Sequence, residues 1–159
     1  MPVYRFVVIT NVARGDVQRK LREFRDAIRD MRPVFTNDTL PYLRRQTREA
    51  FQQESTPSGN PWPDLSASYL ARRRREGTGE TKLRRFWDLF HSLMGGTNAA
   101  ESVRKNHLSY GTSDPRAAWH NEGRPGRKTP LPQRTFLDIT PQTVDDVADQ
   151  VIDHLIRVF

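Results

Sequence analysis

Between Trp119 and Thr140 the chain reads WHNEGRPGRKTPLPQRTFLDIT, and from Gly123 to Pro141 it carries four prolines and two glycines. Proline fixes φ and removes a backbone donor, while glycine admits turns, so little regular structure fits before Arg134. Arg134–Ile139 then reads as a short apolar strand, and Thr140-Pro141 opens a helix. The segment in between, residues 123–133, is expected to be a flexible basic loop. Arg124, Arg127 and Lys128 lie within it and Arg134 just beyond, so it is a candidate contact surface, with a solvated connector as the alternative.

At 159 residues the chain is expected to form a single domain around one core, spanning 1–159. No apolar run approaches the 18 residues of a membrane span. Val3–Thr10 lacks a small-residue cleavage site, so no signal peptide is expected. The absence of cysteine excludes disulfides and thiolate metal sites and fits a reducing compartment. The net charge of +7 is segregated. From residue 136 onward, Asp138, Asp145, Asp146, Asp149 and Asp153 face Arg157 alone, a balance of −4, which leaves +11 on the preceding residues. A basic body calls for nucleic acid or an acidic protein surface, and the acidic C-terminal helix is itself such a surface.

In order, Val3–Thr10 (VYRFVVIT) reads as a strand. Val17, Leu21, Phe24, Ile28 and Met31 then form one stripe of an amphipathic helix that Pro33 is expected to end. Asn37–Thr39 are placed to cap a second helix, with Pro41 in its first turn and Leu43, Thr47, Ala50 and Phe51 inward. Pro61 and Pro63 hold Asn60 and Trp62 extended, which suits Trp62 to be a structural plug. Asp64 or Ser66 caps a short helix whose Arg72, Arg73, Arg74 and Arg75 encircle one turn, so at least two must reach solvent. Glu76–Glu80 reads as a flexible link. Thr81–Met94 reads as a helix with an apolar face of Leu83, Phe86, Trp87, Phe90, Leu93 and Met94, closed by Gly95. Two short strands surround Lys105-Asn106, and Asp114–Asn121 forms one or two helical turns. The last helix, with Val144, Val147, Val151, Leu155 and Val158 in its stripe, is the clearest element. Thr140 and Pro141 start it, and its charges suit the helix dipole.

Chemistry is sparse. Four histidines stand outside zinc-motif spacings, so no metal and no cofactor are expected. No glycine-rich loop lies between a strand and a helix, and Ser58 and Ser92 lack a base with an orienting acid. His120-Asn121-Glu122 lacks the second acidic cluster of a nuclease, and the chain does not read as an enzyme.

Three ordered motifs resemble the phage virion morphogenesis family of Mu-type and related tailed phages. Phe51 precedes PSGNPWPDLS at Pro57–Ser66, and Leu89–Leu93 forms a Leu-x-x-Ser-Leu-like step. Ala117–Gly123 forms an Ala-x-x-His-Asn-x-Gly turn, followed by PQRTFL at Pro132–Leu137 and the closing helix. The resemblance implies a structural protein of the tail-completion or neck type, in the virion after assembly in the host cytoplasm. Its implied partners are tail tube or terminator proteins, neck or portal-side proteins, and further copies in a ring, with non-specific contact to channel DNA.

Together these readings give an α+β fold, a small mostly antiparallel sheet packed by several amphipathic helices with a long C-terminal helix. Candidate contact residues are Trp62, Arg72–Arg75, Trp119, His120, the loop cations, Arg134 and Phe136, with Asp145, Asp149 and Asp153 opposite in charge. The alternative is a stand-alone basic nucleic-acid-binding protein. Such binders usually interleave exposed aromatic residues with their cations, whereas Arg72–Arg75 has only Tyr69 nearby.

Overall fold

The computed structural model describes residues 14–85, 87–126 and 130–158. The expected strand at Val3–Thr10 and the loop residues Arg127 and Lys128 lie outside them. Helix α1 spans Arg14–Arg29 and packs against α7, Pro141–Val158, so the first and last amphipathic helices meet each other. Pro33 does not end α1. It sits in the first turn of the short α2, Arg32–Val34, where a missing N–H costs nothing. One π-helical turn, Phe35–Thr39, leads into α3, Leu40–Gln53. The expected cap at Asn37–Thr39 does not form, because the backbone stays helical through Thr39 and that hydroxyl donates instead to Gln150 Oε1 at 2.8 Å.

The inner face of α3 carries Thr47, Ala50 and Phe51, all buried. Glu54 ends the helix in the left-handed region, and its carbonyl accepts the Trp62 N–H at 2.7 Å. Trp62 is thereby folded under α3, 2% exposed, with Phe51 meeting its ring edge-on at 5.5 Å. Phe51 also meets Phe136 at 5.4 Å, and Leu89, Leu93, Ala50 and Ala117 complete the core. Edge-to-face aromatic contacts of this kind add about 0.5–1.5 kcal/mol each beyond area burial.

Ser66 caps α4, Ala67–Arg75, by accepting the Tyr69 N–H. The following turn is tied rather than loose. The Arg73 guanidinium donates to the carbonyls of Thr78 and Thr81 at 2.8 and 2.7 Å, and Arg74 pairs with Glu80. The helix expected over 81–94 shortens to α5, Asp88–Leu93, because Leu83 and Trp87 adopt positive φ (58° and 64°) and break the helical path. Tertiary contacts fix this segment. The Lys82 N–H donates to Glu54 Oε1, and its ammonium reaches Trp62 O and Asp64. Leu83, Phe90 and Met94 still pack on the core. Gly95 (φ 88°) follows α5, and the Gly96 N–H closes the end on His91 O at 2.8 Å.

Strands β1, Ser102–Arg104, and β2, His107–Ser109, form an antiparallel hairpin with Val103 opposite Leu108. Asp114 caps α6, Pro115–Glu122. The segment 134–139 is not a strand: it forms no regular element and has no ladder partner among the described residues. Its backbone is held by α6. The Asn121 side chain accepts the N–H groups of Phe136 and Leu137 at 2.9 and 3.0 Å and donates to Leu137 O at 3.1 Å. Thr140 then caps α7 through the Thr143 N–H at 3.1 Å. The fold is α+β, with a two-stranded antiparallel sheet, several amphipathic helices and a long C-terminal helix. Among the described residues no helix is long and apolar enough to cross a membrane.

Candidate functional site: an arginine-lined cleft and an acidic helix

The residues singled out in the sequence fall mostly into a buried group and an exposed group. Trp62, Phe136, Arg73 and Arg134 are buried, so none of them is a free surface anchor. Arg72, Arg74, Arg75, Asp145, Asp149 and Asp153 are exposed, as is Trp119, whose ring carries the Arg124 guanidinium at 4.4 Å. Arg124 and Leu131 form an isolated antiparallel bridge that closes the basic loop at its base.

Arg73, His120 and Arg134 come together around a cleft of about 530 Å³ between α4, the turn before α5, α6 and the 130–134 segment. Arg134 reaches it from the start of the 134–139 segment, its guanidinium donating to the carbonyls of Pro63 and Asp64 at 2.9 Å each. These bonds and the Trp62 indole donating to Thr135 O at 2.8 Å join the PSGNPWP turn to the 134–137 backbone. The motif residues are therefore first of all structural: they stitch two loops across the core.

The remaining cleft residues were not legible as a group. Tyr69, Arg85, Trp87, Asp88 and Arg116 come from different elements, and no local spacing relates them. Arg116 forks onto Asp114, Nε to Oδ1 at 2.9 Å and a terminal nitrogen to Oδ2 at 2.6 Å, and also reaches Asp88 at 3.5 Å. That fork holds the Asp114 carboxyl below its ordinary range. Burial, with Arg134 and Arg116 nearby, pushes His120 below its ordinary value and favours the neutral ring. Burial also lowers Arg134, which keeps its charge at neutral pH. The cleft thus sets two buried arginines behind apolar walls, with Asp64, Asp88 and the paired Arg85 and Arg116 also on its lining. Among the described residues no group of acids and histidines is placed to hold a metal.

On the opposite charge, Asp145, Asp149 and Asp153 repeat every four residues along α7 and, among the described residues, have no ion-pair partner. Exposed Val144, Ile152 and Ile156 share the helix, and Ile139 precedes it at 76% exposure. Large apolar side chains in water beside an unpaired acidic ladder are the marks of a contact face.

A family model matches residues 13–156, nearly the whole chain, and it describes the phage virion morphogenesis family. No curated protein and no solved structure matches.

Proposed function

Because the chain belongs to the phage virion morphogenesis family, a family of virion structural proteins, we propose that it completes the tail or joins it to the head as a non-enzymatic, ring-forming component. The observation that carries the reading is the outer face of α7, where unpaired Asp145, Asp149 and Asp153 lie with exposed Val144, Ile152 and Ile156. A basic counterpart exists on the same molecule at the end of α4, in exposed Arg75 and in exposed Arg72, whose contact with Glu76 is a loose 3.8 Å. Opposite charges on two separate faces of one chain form a head-to-tail pair, which closes into a ring when the rotation per copy permits. Exposed ion pairs contribute about 0–1 kcal/mol each, so they set orientation, and the apolar residues of α7 supply affinity. Trp62 and Phe136 cannot supply it, since both are used in the core.

The reading as a stand-alone nucleic-acid binder is weaker. Arg73 and Arg134, two of the cations it needs, are buried and bonded to backbone carbonyls, and Arg74 is neutralised by Glu80. Any contact with channel DNA falls to the remaining exposed arginines and is non-specific.

Reconstitution tests the proposal. Purified chain is added to a cell extract that assembles particles but lacks this protein, and completed particles are counted. Asp149→Arg with Asp153→Arg is expected to lower the yield, and Arg72→Glu with Arg75→Glu in the same chain to restore part of it. A double reversal with full yield and unchanged salt dependence would show that α7 faces water.

A further inference from the structure

The outer face of α7 joins an acidic ladder to Val144, Ile152 and Ile156, and a partner surface has to answer both. The end of α4 answers only the charge, since no large apolar side chain of that helix is exposed. Helix α1 answers both. Val17, Leu21 and Ile28 lie on one stripe of it and all three are exposed, Leu21 at 56%, although α1 packs on α7 of its own chain. That internal contact therefore leaves much of the stripe open. Arg22, Arg25 and Arg29 recur at spacings of three and four, which sets them on one side of α1 along the edge of the stripe. Arg25 meets Asp26, but Arg22 and Arg29 are exposed and form no ion pair among the described residues. The other acids of α1 are already engaged, Asp16 by Arg19 and Glu23 by Arg19 and Lys20. The charge that α1 leaves over is positive.

We infer that the outer face of α7 is covered by the outer face of α1 from a second copy of the chain, apolar stripe on apolar stripe, with Arg22 and Arg29 beside the partner's aspartate ladder. Asp145, Asp149 and Asp153 flank the stripe of Val144, Ala148, Ile152 and Ile156 much as the arginines flank that of α1. The faces also agree in length: Val17 to Ile28 spans about 17 Å of helix and Val144 to Ile156 about 18 Å. The inference rests on the proposed assembly through α7 and names the apolar surface that its isoleucines meet, while the charges of α4 orient the approach. Because the two faces sit on different helices, the contact repeats from copy to copy, or closes at two copies if both α1–α7 contacts fit one two-fold axis.

Cysteine pairing tests the inference, since the chain has no cysteine of its own. Leu21→Cys is made in one chain, and Val144→Cys, Ala148→Cys, Ile152→Cys and Ile156→Cys each in another, all at exposed positions and each checked for an unchanged melting temperature. The chains are mixed in pairs under mild oxidation, with Arg75→Cys in place of Leu21→Cys as the comparison. A disulfide needs Cα atoms within about 7 Å, and the α7 series samples its stripe at every turn. At least one mixture with Leu21→Cys is expected to couple about tenfold more than the same mixture with Arg75→Cys. Light scattering then reads assembly. Arg22→Glu with Arg29→Glu is expected to raise the concentration at which the mass increases about tenfold, and Asp149→Arg with Asp153→Arg in the same chain to reverse part of that. Coupling through Leu21→Cys with a mass that stops at two copies would support the inference and end the ring. A larger assembly that couples through Arg75→Cys and not Leu21→Cys would overturn the inference and keep the ring. A chain that stays monomeric and couples at no position would overturn both.

Discussion

Asn121 does the work of a missing strand. Its side chain satisfies two backbone N–H groups and one carbonyl of Phe136 and Leu137, and Phe136 is 1% exposed in the core. Leaving such buried groups unpaired costs about 1–3 kcal/mol each. Asn121→Ala is therefore expected to lower stability by about 2–4 kcal/mol in urea unfolding. Asn121→Asp keeps the oxygen that accepts both N–H groups but sets a second carboxylate oxygen against Leu137 O, so near neutral pH it too should be destabilising. Two neighbours set the acid response. The lowered Asp114 carboxyl contributes stability that is present above its ordinary value of 3.8 and is lost as pH falls through the lower folded value. The lowered His120 acts in the same direction from a higher pH: the unfolded chain takes up a proton near 6.5 before the folded chain does. Stability should thus begin to fall below about pH 6.5 and fall again below about 3.8. His120→Gln, followed by thermal unfolding across pH 5–7, should flatten the first decline. A slope unchanged by the substitution would mean that His120 is as free to protonate in the fold as out of it.

Elements written by local rules were legible in the sequence. The 3.6-residue stripe with Thr140 and Pro141 at its start locates α7, Ser66 locates α4, and the hairpin turns at Lys105-Asn106. What the sequence could not carry was set from a distance. Arg134–Ile139 has the apolar pattern of a strand, but its partner is a side chain at the end of α6. The run 81–94 has helical spacing, but Lys82 is drawn to Glu54, Trp62 and Asp64, and Leu83 and Trp87 turn left-handed. The cleft went unseen for the same reason, since it collects Tyr69, Trp87, Arg116 and Arg134 from far apart in the chain. The end of α5 gives a sharp test. A Cβ at Gly96 would stand 2.7 Å from His91 O, the carbonyl that closes the helix, so Gly96→Ala is expected to lower the melting temperature by several degrees, about 1–2 kcal/mol. Along α7, Val151 is half-buried and Ile152 is 51% exposed. Val151→Asp should cost about 1–3 kcal/mol, and Ile152→Asp less than about 0.5 kcal/mol. Equal melting curves for the two variants would mean that α7 does not dock on its valine stripe.

At the scale of the whole molecule, this phage virion morphogenesis protein carries an acidic ladder and exposed apolar side chains together on the outer face of α7, and exposed arginines at the end of α4. The core of Phe51, Trp62, Leu89, Leu93 and Phe136 lies away from both, so the outer face of α7 can be changed without dismantling the fold. That separation makes the size of the protein in solution a direct reading of its assembly. Light scattering on the purified chain over a range of concentrations, alone and with tail extract, measures it. We expect a mass that rises from 18.5 kDa to a closed multiple of it, and a return to 18.5 kDa when Ile152→Asp and Ile156→Asp are combined. A mass fixed at 18.5 kDa under every condition, with no co-elution with tail components, would contradict a ring built through α7.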